Sequence, residues 1–179
     1  FLYEKIKKVW NGTWVSDVAQ SRNAFGISSN LYNSLNSNNK GDISCYFLRR
    51  QVYKIKINDV TKGQALISKY KVVVSKAAGG SKGQRRSTVP TSVIFIIKPK
   101  EVCSETYSII QSFDCIEDAK NFEAFLKTNF ARYFVGLRKI TQNISRESWK
   151  WVPLMATDLQ WTDETLADHF GLTKKEQEH

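Results

Sequence analysis

Three short runs of β-branched and aromatic residues constrain the fold of this chain more than any other feature of its sequence. They read KYKVVVSKA (69–77), TSVIFIIKP (91–99) and ETYSIIQSF (105–113). Runs of this length and composition, bounded by residues that favour turns, are typical of buried β-strands. The sequence therefore predicts a sheet that contains these three strands.

Residues 43–57 have a strand pattern of a different kind, in which apolar and basic residues alternate. Tyr53, Ile55 and Ile57 fall on one face, and Lys54 and Lys56 fall on the other. We expect the apolar face to pack inward and the lysine face to meet solvent or phosphate.

One long helix is predicted after the third strand, over residues 115–136. Asp114 is the expected N-cap, and Glu117 lies three residues further on, as in a capping box. Apolar residues then recur every three or four positions, which is far more typical of a core-facing surface than of a cofactor pocket. These residues are Ala119, Phe122, Leu126, Phe130, Phe134 and Leu137.

Shorter helices are predicted at both ends of the chain. Residues 1–10 and Trp14–Gln20 have helical spacing of apolar residues near the start. Near the end, Thr162 precedes an acidic first turn, Gly171 terminates that helix, and Thr173 opens another. The predicted fold class is α+β, with a mixed or antiparallel sheet packed on one long helix and short helices at both termini.

Length and composition indicate one folded domain. The chain has 179 residues, of which 41% are hydrophobic, and this is enough to bury a core. We expect a single domain over residues 1–179, with 1–20 as an N-terminal helical linker and 160–179 as a C-terminal helical appendage. Because the first residue is Phe1 rather than Met, we expect a fragment of a longer chain.

The same sequence features bear on where the protein works. No apolar run reaches the 18 residues of a membrane helix, and the start of the chain lacks the apolar block of a secretory signal. We therefore expect a cytoplasmic protein that does not contact membranes. Cys45, Cys103 and Cys115 have no C-x-x-C spacing, which favours reduced thiols in the core over disulfides or a zinc site.

Positive charge is concentrated in the middle third of the sequence. Residues 1–45 carry five basic and three acidic residues, and residues 101–179 carry nine basic and thirteen acidic ones. Residues 46–100 carry thirteen basic residues, against which Asp59 is the single acid. A block of one sign builds a field that attracts a polyanion, so nucleic acid is the expected partner.

A flexible basic stretch, SKAAGGSKGQRR (75–86), connects the first two predicted strands and should lie at one end of the sheet. Its glycines let backbone approach a phosphate chain closely, and arginine can grip phosphate or guanine with two hydrogen bonds. An ordinary solvated loop is the alternative interpretation of this stretch.

Two further segments combine basic and amide side chains, namely LRKITQNIS (137–145) and SRNAFGISSN (21–30). Amide groups pair well with adenine edges, although a polar helix end with a C-cap is an alternative for the first segment. In the second, Phe25 is expected to be an anchor packed inside. Together with the basic strand residues, the candidate nucleic-acid contacts are Arg22, Asn30, Arg49, Arg50, Lys54, Lys56, Lys76, Lys82, Arg85, Arg86, Arg138, Lys139, Gln142 and Asn143.

The sequence contains no pattern of catalytic or metal-binding residues, so we predict no catalytic residue and no metal. His169 lies in a predicted helix and His179 is terminal, which leaves no histidine pair for a metal and no base beside Ser or Cys. The tetrapeptide EDAK, from Glu117 to Lys120, has an acid-x-Lys spacing that metal-dependent nucleases use. It falls at a helix start rather than on a strand, which argues against a nuclease.

Five segments of the chain together carry a family resemblance. They are SRNAFGISSNL, KYKVVVSKAAGG, VCSETYSIIQSF, KTNFARYFVGLRKITQNIS and WKWVPLMATDLQWTDETLADHFGLTKKE, and they span nearly the whole sequence. In this order they resemble the C-terminal part of adenine-specific DNA methyltransferases from bacterial restriction–modification systems. The fused methylase–endonucleases of type II systems are the most similar.

This resemblance implies a target recognition domain, which reads double-stranded DNA for a methyltransferase domain lying upstream in the same chain. The sequence contains no glycine-rich cofactor turn of the kind found in that domain. It also lacks the Pro-Pro-aromatic motif, since its prolines, Pro90, Pro99 and Pro153, are not adjacent to one another. S-adenosylmethionine is therefore expected in the upstream domain, and no cofactor in this fragment. Two alternatives stay open: a restriction endonuclease fragment, and a protein-interaction domain whose basic face meets another anionic partner.

Overall fold

The computed structural model describes residues 2–20, 22–35, 40–77, 89–139 and 143–177, and the predicted contacts Lys82, Arg85, Arg86 and Gln142 lie outside these ranges. The described helices are α1 (Leu2–Val9), α2 (Val15–Val18), α3 (Ile116–Lys127), α4 (Asn129–Arg138), α5 (Asp163–His169) and α6 (Lys174–Gln177). The strands are β1 (Ile43–Tyr46), β2 (Val52–Ile55), β3 (Tyr70–Ser75), β4 (Ile94–Ile97), β5 (Glu101–Cys103) and β6 (Tyr107–Phe113). The α+β class predicted from the sequence is confirmed.

The three apolar runs form the central sheet, which is antiparallel in the order β4-β3-β6. Val73 of β3 lies opposite Phe95 of β4 on one side and opposite Ile109 of β6 on the other. All three predicted strands are therefore confirmed, and the basic stretch after β3 starts at an end of this sheet.

A second sheet, of order β2-β1-β5, lies outside the first and is mixed. Residues 43–57 form a hairpin of β1 and β2, with Cys45 opposite Tyr53, and β5 adds to β1 in parallel. Tyr53 is half-buried and Ile55 is buried, whereas Lys54 is exposed, so the predicted alternation is confirmed over these residues. It is wrong at Ile57, which lies beyond β2 in a 3₁₀ turn and is 43% exposed. The single predicted sheet is thus two sheets of three strands.

The central sheet is covered by apolar side chains on both faces, because its strands alternate between two core clusters. Val72 and Val74 of β3 pack with the helices, whereas Val73 packs with the outer sheet. Ile94 and Phe95 of β4 divide in the same way. Burial on both faces explains why these strands read as continuous apolar runs rather than as alternating ones.

The helical cluster draws residues from both ends of the chain. Buried side chains from the first five helices meet the central sheet there, and they include Ile6, Val15, Phe122, Phe134 and Leu166. The cluster around the outer sheet includes Phe25, which has no exposed surface, so its predicted role as an inward-packed anchor is confirmed.

The helix predicted over residues 115–136 is two helices, α3 and α4. Thr128 stands between them with extended backbone (φ −60°, ψ 154°). Its buried hydroxyl donates to the Phe125 carbonyl at 2.7 Å and accepts from the Ala131 amide at 3.2 Å. One side chain therefore ends α3 and caps α4.

The predicted N-cap of α3 is wrong by one position. Cys115 has the extended N-cap backbone, and its sulfur accepts a hydrogen bond from an amide in the first turn. Asp114 pairs with Lys69 instead. Cys115 is consequently exposed, and the expectation of core thiols is correct for Cys45 and Cys103 only.

The predicted boundaries near the C-terminus are confirmed. The hydroxyl of Thr162 accepts a hydrogen bond from the Thr165 amide at 3.2 Å, which caps α5. Gly171 follows that helix with φ +62°, a left-handed conformation that glycine adopts without strain. Glu176 accepts from the amide of Thr173 at 2.8 Å and from its hydroxyl at 2.9 Å, as in a capping box.

Candidate nucleic-acid interface

One end of the central sheet, which we call the loop end, brings several of the predicted segments together. It comprises the end of β3, the start of β4 and the start of β6. Beyond β3, Ala77 forms an antiparallel bridge with Asn143, and the amide of Ile144 donates to the Lys76 carbonyl at 2.8 Å. Residues 76–77 and 143–144 therefore lie side by side at this end of the sheet.

The tip of the β1–β2 hairpin, Leu48–Gln51, is attached to the same end. Arg50 donates its backbone amide to the hydroxyl of Tyr107 at 2.9 Å, and its guanidinium binds the carbonyl of Ser92. The guanidinium carbon also lies 4.1 Å from the ring centroid of Phe95, which is cation–π geometry. Arg50 thus anchors the tip against the starts of β4 and β6.

The hairpin tip has an unusual backbone for its sequence. Arg49 and Arg50 have φ of +58° and +59°, and the amide of Gln51 donates to the carbonyl of Leu48 at 3.3 Å. Two successive left-handed residues make a type I′ turn, for which Asn-Gly is the preferred pair. Arginine in this conformation costs free energy, and such strain concentrates at functional sites.

The side chains of Leu48, Arg49, Arg50 and Gln51 in this turn are all exposed, and Arg49 differs from Arg50 in its contacts. No hydrogen bond or ion pair holds it within the part of the chain that the structure describes, whereas Arg50 is anchored. Beside it, Leu48 is 55% exposed and Val52 is 48% exposed. The tip therefore presents one unengaged guanidinium together with apolar side chains.

A cavity of about 610 Å³ opens beside the same end of the sheet. Arg22, Lys76 and Arg146 line it, and so does the carboxylate residue Glu105. Burial lowers the pKa of Lys76, the nearby charge of Arg22 lowers it further, and Glu105 opposes both effects. We call this space the basic cavity.

The carboxylate of Glu105 is held by hydrogen bonds from the segment that carries Asn30. Its Oε1 accepts from the amide of Ser29 at 3.1 Å, from the Ser29 hydroxyl at 3.2 Å and from the Ser28 hydroxyl at 3.4 Å. The backbone hydrogen bond is the main reason that the pKa of Glu105 is lowered. The contact fixes residues 28–29 next to the start of β6, and the adjacent Asn30 is exposed.

Other predicted contacts lie away from this end or are engaged in structure. Lys54 and Lys56 are exposed, but β2 carries them away from the hairpin tip at roughly 3.3 Å per residue. Arg138 makes an ion pair with Glu147 at 3.7 Å and stacks 5.0 Å from the ring of Trp151. Burial lowers the pKa of Lys139, which is half-buried at the end of α4.

The positive charge of residues 46–100 is not all available to a partner. Lys71 is fully buried, and its Nζ donates to the carbonyls of Lys98 and Glu101 at 2.9 and 2.8 Å. Lys69 is engaged with Asp114. Charge counted along the sequence therefore overstates the charge on the surface.

Sequence reasoning missed two residues of the basic cavity, Arg146 and Glu105. Arg146 lies in the acidic last part of the chain, and the structure brings it to the cavity through hydrogen bonds to the carbonyls of Ser16 and Asp17. No local pattern predicts contacts over some 130 residues. Tyr107, whose hydroxyl donates to the Phe47 carbonyl at 2.8 Å, carried a strand signal but no sign of its anchoring role.

The tetrapeptide that matches a nuclease spacing lies in the first turns of α3. Glu117 and Lys120 are exposed there, and Asp118 accepts a hydrogen bond from the hydroxyl of Thr157 at 3.0 Å. Across the described ranges, no group of three His, Cys, Asp or Glu side chains has the placement to hold a metal ion. None of the described helices has the length and apolar character needed to cross a bilayer.

Comparisons of the chain with protein-family models, with curated proteins and with solved structures find no significant match. The functional interpretation therefore depends on the geometry of the loop end and on the resemblance carried by the sequence segments.

Proposed function

We propose that this chain binds double-stranded DNA as the target recognition domain of an adenine-specific methyltransferase of a restriction–modification system. The proposal depends on one observation. Segments that combine basic and amide residues converge at the loop end. The hairpin tip, Lys76 and residues 143–144 meet there although they are far apart in sequence. If these segments only met solvent, there would be no reason for them to lie together at one site.

The hairpin supplies a shape that suits sequence reading. A two-stranded ribbon fits the major groove of B-DNA, which is about 12 Å wide, and arginine forms two hydrogen bonds with guanine there. Arg49 projects from the tip of such a ribbon, and Arg50 fixes the tip to the sheet. In this arrangement Arg49 reads a base edge, and Lys76 at the loop end neutralises a phosphate.

The proposal assigns catalysis to an upstream domain of the same chain. That domain binds S-adenosylmethionine and transfers the methyl group, while this chain positions the target sequence in a cytoplasmic enzyme. An endonuclease activity, if the parent protein has one, belongs to another part of it.

Salt dependence of duplex binding tests the proposal. Neutralising about five phosphates releases condensed counterions, so the slope of log K against log salt concentration should be about −4 to −5. The measurement is fluorescence anisotropy with a labelled duplex between low and physiological salt. Binding that is absent or independent of salt would favour an interaction domain with another partner, and metal-dependent cleavage of the duplex would favour an endonuclease.

A further inference from the structure

The basic cavity gathers three cationic side chains from three separate parts of the chain. Arg22 follows α2, Lys76 follows β3, and Arg146 opens the 3₁₀ turn Arg146–Trp149 after α4. Arg146 is oriented by hydrogen bonds from Nε to the Ser16 carbonyl and from Nη2 to the Asp17 carbonyl, the latter at 3.5 Å. These bonds leave Nη1 as a further donor of this guanidinium.

Lys76 carries the clearest sign of a ligand site. Its Nζ is shielded from solvent, and it has no hydrogen-bond partner among the residues that the structure describes. An ammonium group offers three donors, and leaving them buried without an acceptor costs free energy. Unsatisfied buried groups in folded proteins call for an explanation, and a ligand that is bound in function is one.

The balance of charge in the basic cavity identifies the ligand as an anion. Glu105 is the carboxylate among its described lining residues, and Ser28 and Ser29 already donate to Oε1 of that carboxylate. The proximity of Arg22 and Lys76 raises the free energy of both charges, and an anion between them would relieve it. Burial and the charge of Arg22 lower the pKa of Lys76, because both make its charged form unfavourable when no anion is bound.

The donors suit a phosphate better than a carboxylate. Two guanidinium groups and one ammonium group offer many donors in different directions, and a tetrahedral oxyanion has acceptors to match them. Gln20, Ser108 and Ser145 add neutral polar groups to the lining. A volume of about 610 Å³ is in the range of small-ligand pockets, so the space admits a phosphate together with an attached sugar.

We propose that the basic cavity is a phosphate-binding pocket in which Arg22, Lys76 and Arg146 hold one phosphate group. The presence of a phosphate site rests on the cavity alone. The assignment of that phosphate to the backbone of a bound DNA duplex rests on the proposed function, in which the pocket fixes the register of the duplex relative to the hairpin tip.

Inorganic phosphate is the first probe. At constant ionic strength, replacing chloride by phosphate should raise the midpoint of thermal unfolding and shift the side-chain NMR signals of Lys76. The variant Lys76→Gln keeps a polar side chain without the charge and should lose the rise in the unfolding midpoint. Lys54→Gln removes the same charge from the exposed edge strand and should keep both that rise and the shift of the Lys76 signals. Arg22→Gln, at an exposed position, provides a second test if Lys76→Gln does not fold.

Duplex DNA is the second probe, and it separates this inference from the proposed function. Lys76→Gln should reduce the magnitude of the salt slope by about one if the pocket holds a backbone phosphate. Phosphate binding without any duplex binding would leave the pocket standing and overturn the proposed function. Duplex binding with no response of Lys76 to phosphate, and an unchanged slope in Lys76→Gln, would overturn the pocket. Response to phosphate with an unchanged slope would overturn its assignment to DNA and indicate a separate phosphorylated ligand.

Discussion

At the scale of single residues, Lys71 is the clearest case of a charge used for structure rather than for binding. It has no exposed surface, and its Nζ donates to the carbonyls of Ile67, Lys98 and Glu101 at 3.4, 2.9 and 2.8 Å. The carbonyls of Lys98 and Glu101 bracket the turn that leads from β4 to β5. Lys71 therefore joins the central sheet to the outer one from within the core.

Substitution of this lysine should give a pH-dependent loss of stability. Lys71→Met leaves the three carbonyls without their donor, so the free energy of unfolding should fall at pH 7 by about 2 kcal/mol. Burial lowers the pKa of Lys71 from 10.5 to about 8. Between these values the unfolded chain holds the proton that the folded chain has released, so the wild-type protein gains stability over the variant as pH rises. Urea unfolding of both proteins at pH 7 and pH 10 measures this difference.

The comparison with the variant is needed because other groups also titrate at high pH. Burial raises the pKa of the Cys45 and Cys103 thiols, so their ionisation in the unfolded chain destabilises both proteins above pH 9. That contribution cancels in the difference. A difference in unfolding free energy that stays constant from pH 7 to pH 10 would show that Lys71 titrates as in the unfolded chain.

At the scale of elements, the hairpin tip combines backbone strain with the exposed side chain that we assign to DNA. The left-handed φ of Arg49 is costly for arginine and ordinary for asparagine. Arg49→Asn should therefore stabilise the protein by roughly 0.5 to 1 kcal/mol, since the side chain has no described partner to lose. The same change should weaken duplex binding by roughly 1 to 3 kcal/mol if Arg49 reads a base edge.

Opposite signs for stability and binding distinguish a functional tip from an ordinary turn. Chemical unfolding gives the first quantity, and anisotropy titrations with the cognate and with random duplexes give the second. Lys120→Gln removes an equal charge from the exposed surface of α3 and serves as the control for binding. A variant that is more stable and binds every duplex as the wild type does would remove Arg49 from the interface.

Elements were predictable from sequence where one local pattern decides them. The three central strands and the caps at Thr162 and Thr173 follow from composition and spacing within a few residues. The break at Thr128 was missed because the apolar stripe continues across it, and one buried hydroxyl decides the geometry. β5 was missed because three residues carry too little pattern, and its pairing with β1 is set by the fold.

The candidate site was only partly predictable, because local patterns identify segments but not the contacts between them. Arg22, Arg50 and Lys76 lie in segments chosen for their composition, but their convergence depends on long-range contacts that no local pattern contains. Arg146 reaches the basic cavity only because segment 143–146 pairs with the end of β3 and packs on α2. Composition therefore identifies candidate segments, and tertiary structure decides which of them meet.

At the scale of the whole molecule, two core clusters share one sheet. β3 contributes Val72 and Val74 to the helical cluster and Val73 to the cluster of the outer sheet. Neither layer can separate without exposing one face of the central sheet. We therefore expect the described layers to unfold in a single cooperative transition.

The five tryptophans make this expectation measurable, because all of them belong to the helical cluster or pack against it: Trp10, Trp14, Trp149, Trp151 and Trp161. Ile43 lies on the opposite side, buried in the outer sheet. Ile43→Ala should cost roughly 2 to 5 kcal/mol, and a cooperative molecule transmits this loss to the distant tryptophans. Their fluorescence midpoint in urea should then fall by the same amount as the midpoint from far-ultraviolet circular dichroism.

Leu126→Ala provides the matched control, since Leu126 is fully buried on the helical side, within the cluster that the tryptophans report. It should lower the midpoint of tryptophan fluorescence whether or not the layers are coupled. Ile43→Ala distinguishes the two cases, because independent layers would leave tryptophan fluorescence at the wild-type midpoint while circular dichroism acquired an earlier transition. Coincident shifts in both variants would mean that the hairpin tip is held by the stability of the entire sheet assembly. The placement of Arg49 would then depend on the helical layer as well as on the outer sheet.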